Sequence, residues 1–266
     1  MTLKLPPVWL RIVTWAILLY LVAPAIVAIP VSFTPDNFLS MPNGEFSLQH
    51  YEDLFESGDW MASFAQSALI AAVSAVLATA LGTLGAIGLW RISSQASEVV
   101  RAILLLPLIV PSIISAMAFY RILVKLGLLD TYTGVILAHT LLAAPMVIIT
   151  VSAALANFDP RLEQASRSLG APMGTTLRRV ILPSIRPGII AGAVFAFILS
   201  WDEIVVALFV TKFDVFTLPR RIWNGIRENT DPTVAAAAVV LIAFTLVALA
   251  LVALVSRRQS AAEPSA

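Results

Sequence analysis

Asn157-Phe-Asp-Pro-Arg-Leu-Glu-Gln-Ala-Ser-Arg-Ser-Leu-Gly170, continued by Ala-Pro-Met-Gly-Thr-Thr-Leu-Arg-Arg-Val-Ile-Leu-Pro183, is a polar, arginine-rich stretch between two long apolar ones. Asp159 is placed to cap a helix whose first position is Pro160. Gly170 suits the left-handed residue that ends such a helix. Thr175 or Thr176 starts a second short helix, halted near Pro183. The expectation is helix, turn, helix. Leu162, Ala165 and Leu169 recur at spacings of three and four, so they share one face. From the pattern alone, that face either docks into a partner or lies on a membrane surface.

Working outward, the chain on either side is too apolar for an ordinary water-soluble domain. Apolar residues make up 59% of 266, charged residues 12%, and the mean hydropathy is +0.91. A soluble domain carries about twice that charged fraction. Six apolar segments follow one another: residues 8–33, 61–90, 99–120, 132–155, 188–210 and 233–255. Each is about 20 residues or longer, enough to cross about 30 Å of hydrocarbon as a helix. The expectation is an all-α membrane protein with six transmembrane helices. The first segment is too long for the apolar part of a signal peptide and reads as a retained span. Pro24, Pro107, Pro111 and Pro145 fall inside spans, where kinks are tolerated if the freed carbonyls find other partners.

Lysine and arginine counts set the orientation. With the N-terminus inside, eleven fall on the cytoplasmic side: Lys4, Arg11, Arg91, Arg101, Arg161, Arg167, Arg178, Arg179, Arg186, Arg257 and Arg258. Six fall outside: Arg121, Lys125, Lys212, Arg220, Arg221 and Arg227. Residues 32–59 hold six acids and no Lys or Arg. That bias either draws cations or a binding protein, or simply reflects the orientation rule. Both termini are expected in the cytoplasm. Residues 1–256 read as a single transmembrane domain, with the polar loop at 157–187 and a tail at 257–266. There is no cysteine, and His50 and His139 show no metal-ligand spacing, so no resident cofactor or metal is expected.

Gln164-Ala165-Ser166, with Gly170 six residues after Gln164 and Leu182-Pro183 at the matching distance, resembles the EAA loop of permease subunits of binding-protein-dependent ABC importers. That pattern is Glu-Ala-Ala, three residues, Gly, nine residues, then Ile-x-Leu-Pro. Ala165, Gly170, Leu182 and Pro183 keep it. Gln164 replaces Glu, Ser166 replaces Ala, Val180 replaces Ile, and Glu163 sits one position early. Residues 200–211, Thr217-Leu-Pro219 and Ile222-Trp-Asn224 resemble the second permease of spermidine/putrescine-type importers.

The resemblance implies a type I ABC importer permease in the bacterial inner membrane, importing a polyamine or related amine. It implies that Glu163, Gln164, Ala165, Ser166, Gly170, Leu182 and Pro183 couple to an ATPase. It implies as partners a second permease, two ATPase subunits and a periplasmic solute-binding protein. No Gly-x-x-x-x-Gly-Lys-Ser/Thr phosphate loop occurs, so ATP and Mg belong to the partner ATPase and this chain is not an enzyme.

Asp202 and Glu203 lie within the fifth apolar segment, where a charged side chain costs on the order of 2.5–3.5 kcal/mol. Gly188, Gly192, Ala196 and Ser200 form a small-residue stripe for close helix packing. Projected at 100° per residue, Glu203 falls within the stripe's arc and Asp202 beside it. The two acids either line a substrate path with Trp201 stacking on a cation, or pair with a basic residue of a partner while Trp201 packs. An ion-coupled secondary transporter using Asp202 and Glu203 is the alternative, and an assembly factor a weaker one.

Overall fold

A computed structural model describes residues 7–92, 94–228 and 231–260. Among these residues every regular element is helical: α1 (Val8–Val31), α2 (Gln49–Glu56), α3 (Gly58–Ile92), α4 (Gln95–Ile109), α5 (Ser112–Leu126), α6 (Tyr132–Ala156), α7 (Pro160–Ser168), α8 (Met173–Thr176), a widened turn at Leu177–Ile181, α9 (Leu182–Ser184), α10 (Arg186–Trp201), α11 (Val205–Val210), α12 (Leu218–Glu228) and α13 (Thr233–Ser260). Helix α13 takes in the start of the expected tail 257–266, and residues 261–266 lie outside the described residues.

Four helices, α1, α3, α6 and α13, are long and apolar enough to cross a membrane alone; six spans result if each of two bent pairs counts as one. One pair is α4 and α5, which the sequence presents as a single span at 99–120. The chain turns by 101° between them. Pro111 donates no N–H and pushes the preceding residue out of the helical region; Val110 accordingly sits at ψ 128°. The other pair is α8–α9 with α10, bent by 71°. The fifth segment also breaks: α10 stops at Trp201 and α11 starts at Val205, instead of one helix over 188–210.

The chain forms two compact units, one from Met1–Met61 with Arg221–Leu246 and one from Ala62–Arg220 with Val247–Ala266. In the first, no residue of α1 is buried within the chain. The connector after α1 folds back on α2: Ser32 Oγ lies 2.7 Å from the Tyr51 hydroxyl, and the Gln49 side-chain amide donates to the Pro35 carbonyl at 2.9 Å.

In the second unit, α6 is the central post. Its neighbours approach through small residues, because close backbone contact is what holds helices together where burial from water offers no drive. Ala71, Ala75 and Ala78 on α3 are buried. A side chain at Gly82 would meet Val147 Cβ at 2.7 Å. The stripe on α10 packs on α6 in antiparallel order: Gly188 against Ala154 and Thr150, Gly192 against Thr150 and Val147, and Ser200 against His139.

Candidate functional site

The stretch at 157–185 forms the two short helices expected of it. Asp159 Oδ1 accepts from the Arg161 N–H at 2.9 Å, with Pro160 at the first helical position of α7. Gly170 has φ +82°. Its N–H reaches the Arg167 carbonyl at 2.9 Å, and the Ala171 N–H reaches that of Ser166 at 3.2 Å. These two bonds are the pair that closes a helix on a left-handed residue.

The second helix differs from expectation. It starts at Met173 behind Pro172, not at Thr175 or Thr176, and it ends at Ser184, near Pro183 as expected. Pro183 has no N–H for the carbonyl four residues earlier. The turn before it widens instead, so that the Leu182 N–H reaches back to Leu177. Ser184 Oγ donates to the Val180 carbonyl at 2.7 Å. The chain turns at Ile185, ahead of Pro187, into α10.

Phe158, Ile181 and Ile185 are buried in one core cluster with Leu155 of α6 and Ile87 of α3. Phe158 meets Trp90 edge to face at 5.8 Å. Two polar ties then set α7 on this base. Arg91 Nη2 donates to Glu163 Oε1 at 3.1 Å, and Ser166 Oγ lies 3.0 Å from Thr176 Oγ1. Glu163 and Ser166 thus face inward, Leu182 packs on the core cluster, and Pro183 is exposed. Leu162, Gln164, Ala165 and Leu169 face outward, with Leu169 88% exposed.

The acids sit at the other landmark of α10. Because the helix ends at Trp201, a projection at 100° per residue does not extend to them. Asp202 is exposed on this chain; its N–H reaches the Ile198 carbonyl at 3.1 Å, and its carboxylate has no hydrogen-bond or ion-pair partner among the described residues. Glu203 is half-buried, and its Oε1 accepts from the Val206 N–H at 2.9 Å, closing the start of α11. Trp201 is 1% exposed, stacked on Phe197 and edge to face with Phe64. Trp201 therefore does not stack on a passing cation in this conformation; it packs. Behind it, His139 Nδ1 and Ser200 Oγ form a buried 2.8 Å hydrogen bond.

Asp130 is a residue the sequence reading passed over. It lies between α5 and α6 at φ 57°. Its carboxylate accepts four backbone N–H groups, from Lys212 (2.7 Å), Phe213 (2.8 Å), Asp214 (3.1 Å) and Val215 (3.2 Å). Gln66 and Ser67 hold the same strap through the N–H groups of Phe216 and Leu218, each at 2.7 Å. The strap and the 157–185 segment lie at opposite ends of α6, whose 25 residues span about 37 Å.

Burial pushes the Asp130 carboxyl up, but the four donors outweigh it and hold the group below its ordinary 3.8. A group held low when folded stabilises above its unfolded value and loses that contribution as pH falls through the folded one. The strap is therefore intact at neutral pH and weakens only below 3.8. Asp130→Asn is expected to cost about 1 kcal/mol at neutral pH. Thermal unfolding of the detergent-solubilised chain checks this: the variant shows a lower midpoint and a shallower further decline on acidification below about pH 4 than the wild type. Equal midpoints at neutral pH contradict it.

Residues 78–261 match the family described as "binding-protein-dependent transport system inner membrane component". The chain belongs to that family. It is similar to the spermidine/putrescine transport system permease protein PotC of Haemophilus influenzae, 31% identical over 91% of this chain and 93% of that one. It is also similar to the putrescine transport system permease protein PotI of Escherichia coli (strain K12), 28% identical over 84% and 82%. Its fold is similar to a chain of a bacterial ABC transporter involved in the import of the acidic polysaccharide alginate. That match has a TM-score of 0.70 at 18% identity, covering 94% of this chain and 96% of that one.

The chain is thus an ABC importer permease, a multi-pass transport subunit of the inner membrane with the type I fold. The ion-coupled secondary transporter and the assembly factor are both set aside by this membership. Among the described residues, no group of three or more metal-ligating side chains occurs.

Proposed function

We propose that this permease and a second one enclose the path of an ATP-driven importer for an amine-bearing organic solute, with polyamines the leading class. Two ATPase subunits, carrying ATP and Mg, dock on the 157–187 loop, and a periplasmic solute-binding protein delivers the solute on the opposite side. Both termini then lie in the cytoplasm with the loop, as the lysine and arginine distribution favours.

The observation that carries this reading is the division of labour on α7. Glu163 and Ser166 are turned inward to fix the helix, which leaves Leu162, Ala165 and Leu169 outward with no partner role inside the chain. An exposed apolar face held this firmly on a core is what a groove-docking helix presents. Gln164 is exposed beside it, so any polar contact to the ATPase at this point is made by an amide, while Glu163 is engaged by Arg91. Movement of the ATPases is passed to α10 through the buried Ile181 and Ile185.

Amine transport is supported by similarity to PotC and PotI and by the break at Asp202–Ile204 in an otherwise apolar segment. Unpartnered acid at a helix break is the kind of group that marks a transport path. With labelled putrescine in proteoliposomes, Asp202→Asn together with Glu203→Gln is expected to cut uptake about tenfold or more. Complex assembly and basal ATP hydrolysis stay unchanged. Undiminished uptake removes the acids from the path.

A further inference from the structure

One cavity is lined by residues of neither landmark. It lies in the unit of Met1–Met61 with Arg221–Leu246, holds about 380 Å³, and is lined in part by Asn37, His50, Asp53, Trp60 and Asp231. Among the described residues no Lys or Arg lines it. His50 is only 3% exposed. Its Nε2 stands 3.0 Å from the Asp36 carbonyl, which can only accept. The Gln49 amide, 3.3 Å from the same nitrogen, already donates to the Pro35 carbonyl at 2.9 Å. The Nε2 position therefore carries a ring N–H, donated to the Asp36 carbonyl, and Nδ1 lies on the opposite side of the ring.

That buried Nδ1 has no hydrogen bond. Asp53 Oδ2 stands 3.8 Å from it, too far for a hydrogen bond and itself an acceptor. The Asp53 carboxylate thus faces a buried ring nitrogen that no side chain or backbone group of the described residues bonds. Asp231 brings a second carboxylate, with Oδ1 occupied by the Thr233 N–H at 2.9 Å. Trp60 supplies an aromatic wall whose ring already attracts one cation, the Arg221 guanidinium at 5.8 Å, itself paired to Asp59 at 3.5 Å. A group that fits this lining carries positive charge, donates several N–H bonds and trails an apolar stem. A primary ammonium on an alkyl chain does all three. A metal ion does not fit, because no set of three ligating side chains converges here among the described residues.

We infer that this cavity receives the ammonium end of a linear organic amine, at a site separate from the Asp202–Glu203 break. The inference rests on the amine reading of the substrate. Its role is reception: the two carboxylates raise the local concentration of the cation before it enters the membrane path.

The test is equilibrium binding of labelled putrescine to the full chain in lipid nanodiscs, with 1,4-butanediol as the uncharged competitor. Saturable binding is expected, resistant to the diol. Asp53→Asn with Asp231→Asn is expected to weaken it about tenfold or more. Asp53→Asn alone, at a side chain 66% exposed, carries the test if the double variant misfolds on size exclusion. Unchanged binding in the Asp53 variants, or equal competition by the diol, overturns the site. So does an absence of saturable binding while the assembled importer still takes up amines, an outcome that leaves the substrate reading standing. If that importer takes up no amine either, both fall.

Discussion

Gly188→Val is expected to destabilise the permease by about 3 kcal/mol or more. A Cβ at Gly188 would stand 2.5 Å from Ala154 Cβ and 2.8 Å from the Thr150 carbonyl oxygen. One neighbour is a methyl fixed to α6 and the other is α6 backbone, so neither can turn aside. Extra methylenes in a packed core cost typically 1–3 kcal/mol. A branched side chain pressed against backbone belongs at or above the top of that range, about 3 kcal/mol or more. Total stabilities are only about 5–15 kcal/mol, and helices in a membrane have no burial from water to fall back on.

Gly192→Ala is expected to be milder, because its closest neighbour is Thr150 Oγ1 at 2.6 Å, a side-chain atom. Gly88→Val should leave the fold intact, since nothing lies within 4 Å of a Cβ there. Size-exclusion profiles and thermal midpoints of the three variants order them. A monodisperse Gly188→Val protein with the wild-type midpoint would show that α6 and α10 do not meet as described.

The second large effect falls on transport and not on folding. Leu169→Asp places a carboxylate at a side chain that is 88% exposed and takes no part in the core, so the chain should fold and assemble with the second permease. If Leu169 enters an ATPase groove, the variant loses an apolar anchor and buries a charge. Losses at such anchors run about 2–4 kcal/mol, on the order of 30- to 1000-fold in affinity, and ATP-driven uptake should fall accordingly. Gln164→Ala should cost much less. Gly170→Val acts through geometry: a side chain at φ +82° costs about 1–2 kcal/mol and unseats the turn that presents Leu169. Uptake lost in Gly170→Val but retained in Gln164→Ala means that the loop couples by shape rather than by a polar contact at position 164. Equal uptake in wild type and Leu169→Asp removes α7 from coupling.

The 157–187 loop was legible because its signals are local. Asp159, Pro160 and Gly170 act within a few residues of themselves, and each does what its chemistry prescribes. The stripe of Gly188, Gly192, Ala196 and Ser200 was legible for the same reason, since helical periodicity alone places it on one face. Breaks in the apolar segments were not. Hydropathy cannot tell a straight span from two helices meeting at Pro111, and it carried the fifth segment through Asp202 although the helix stops at Trp201. That stop also explains why a projection at 100° per residue, which set Asp202 beside the stripe, does not reach it. Asp130 was passed over because its partners come from elsewhere. The Asp130 carboxylate meets N–H groups more than 80 residues away, and no window along the chain reveals such a pairing.

The most direct test of the coupling role uses the absence of cysteine from the sequence. Leu169→Cys supplies a single thiol on the exposed face of α7, to which a benzophenone maleimide can be attached in the assembled transporter. On illumination, the expected product joins this permease to an ATPase subunit, in a yield that changes between the nucleotide-free and ATP-bound states. Labelled permease that gives only lipid adducts in both states, from a transporter that still hydrolyses ATP and takes up solute, would contradict the coupling role of the 157–187 loop.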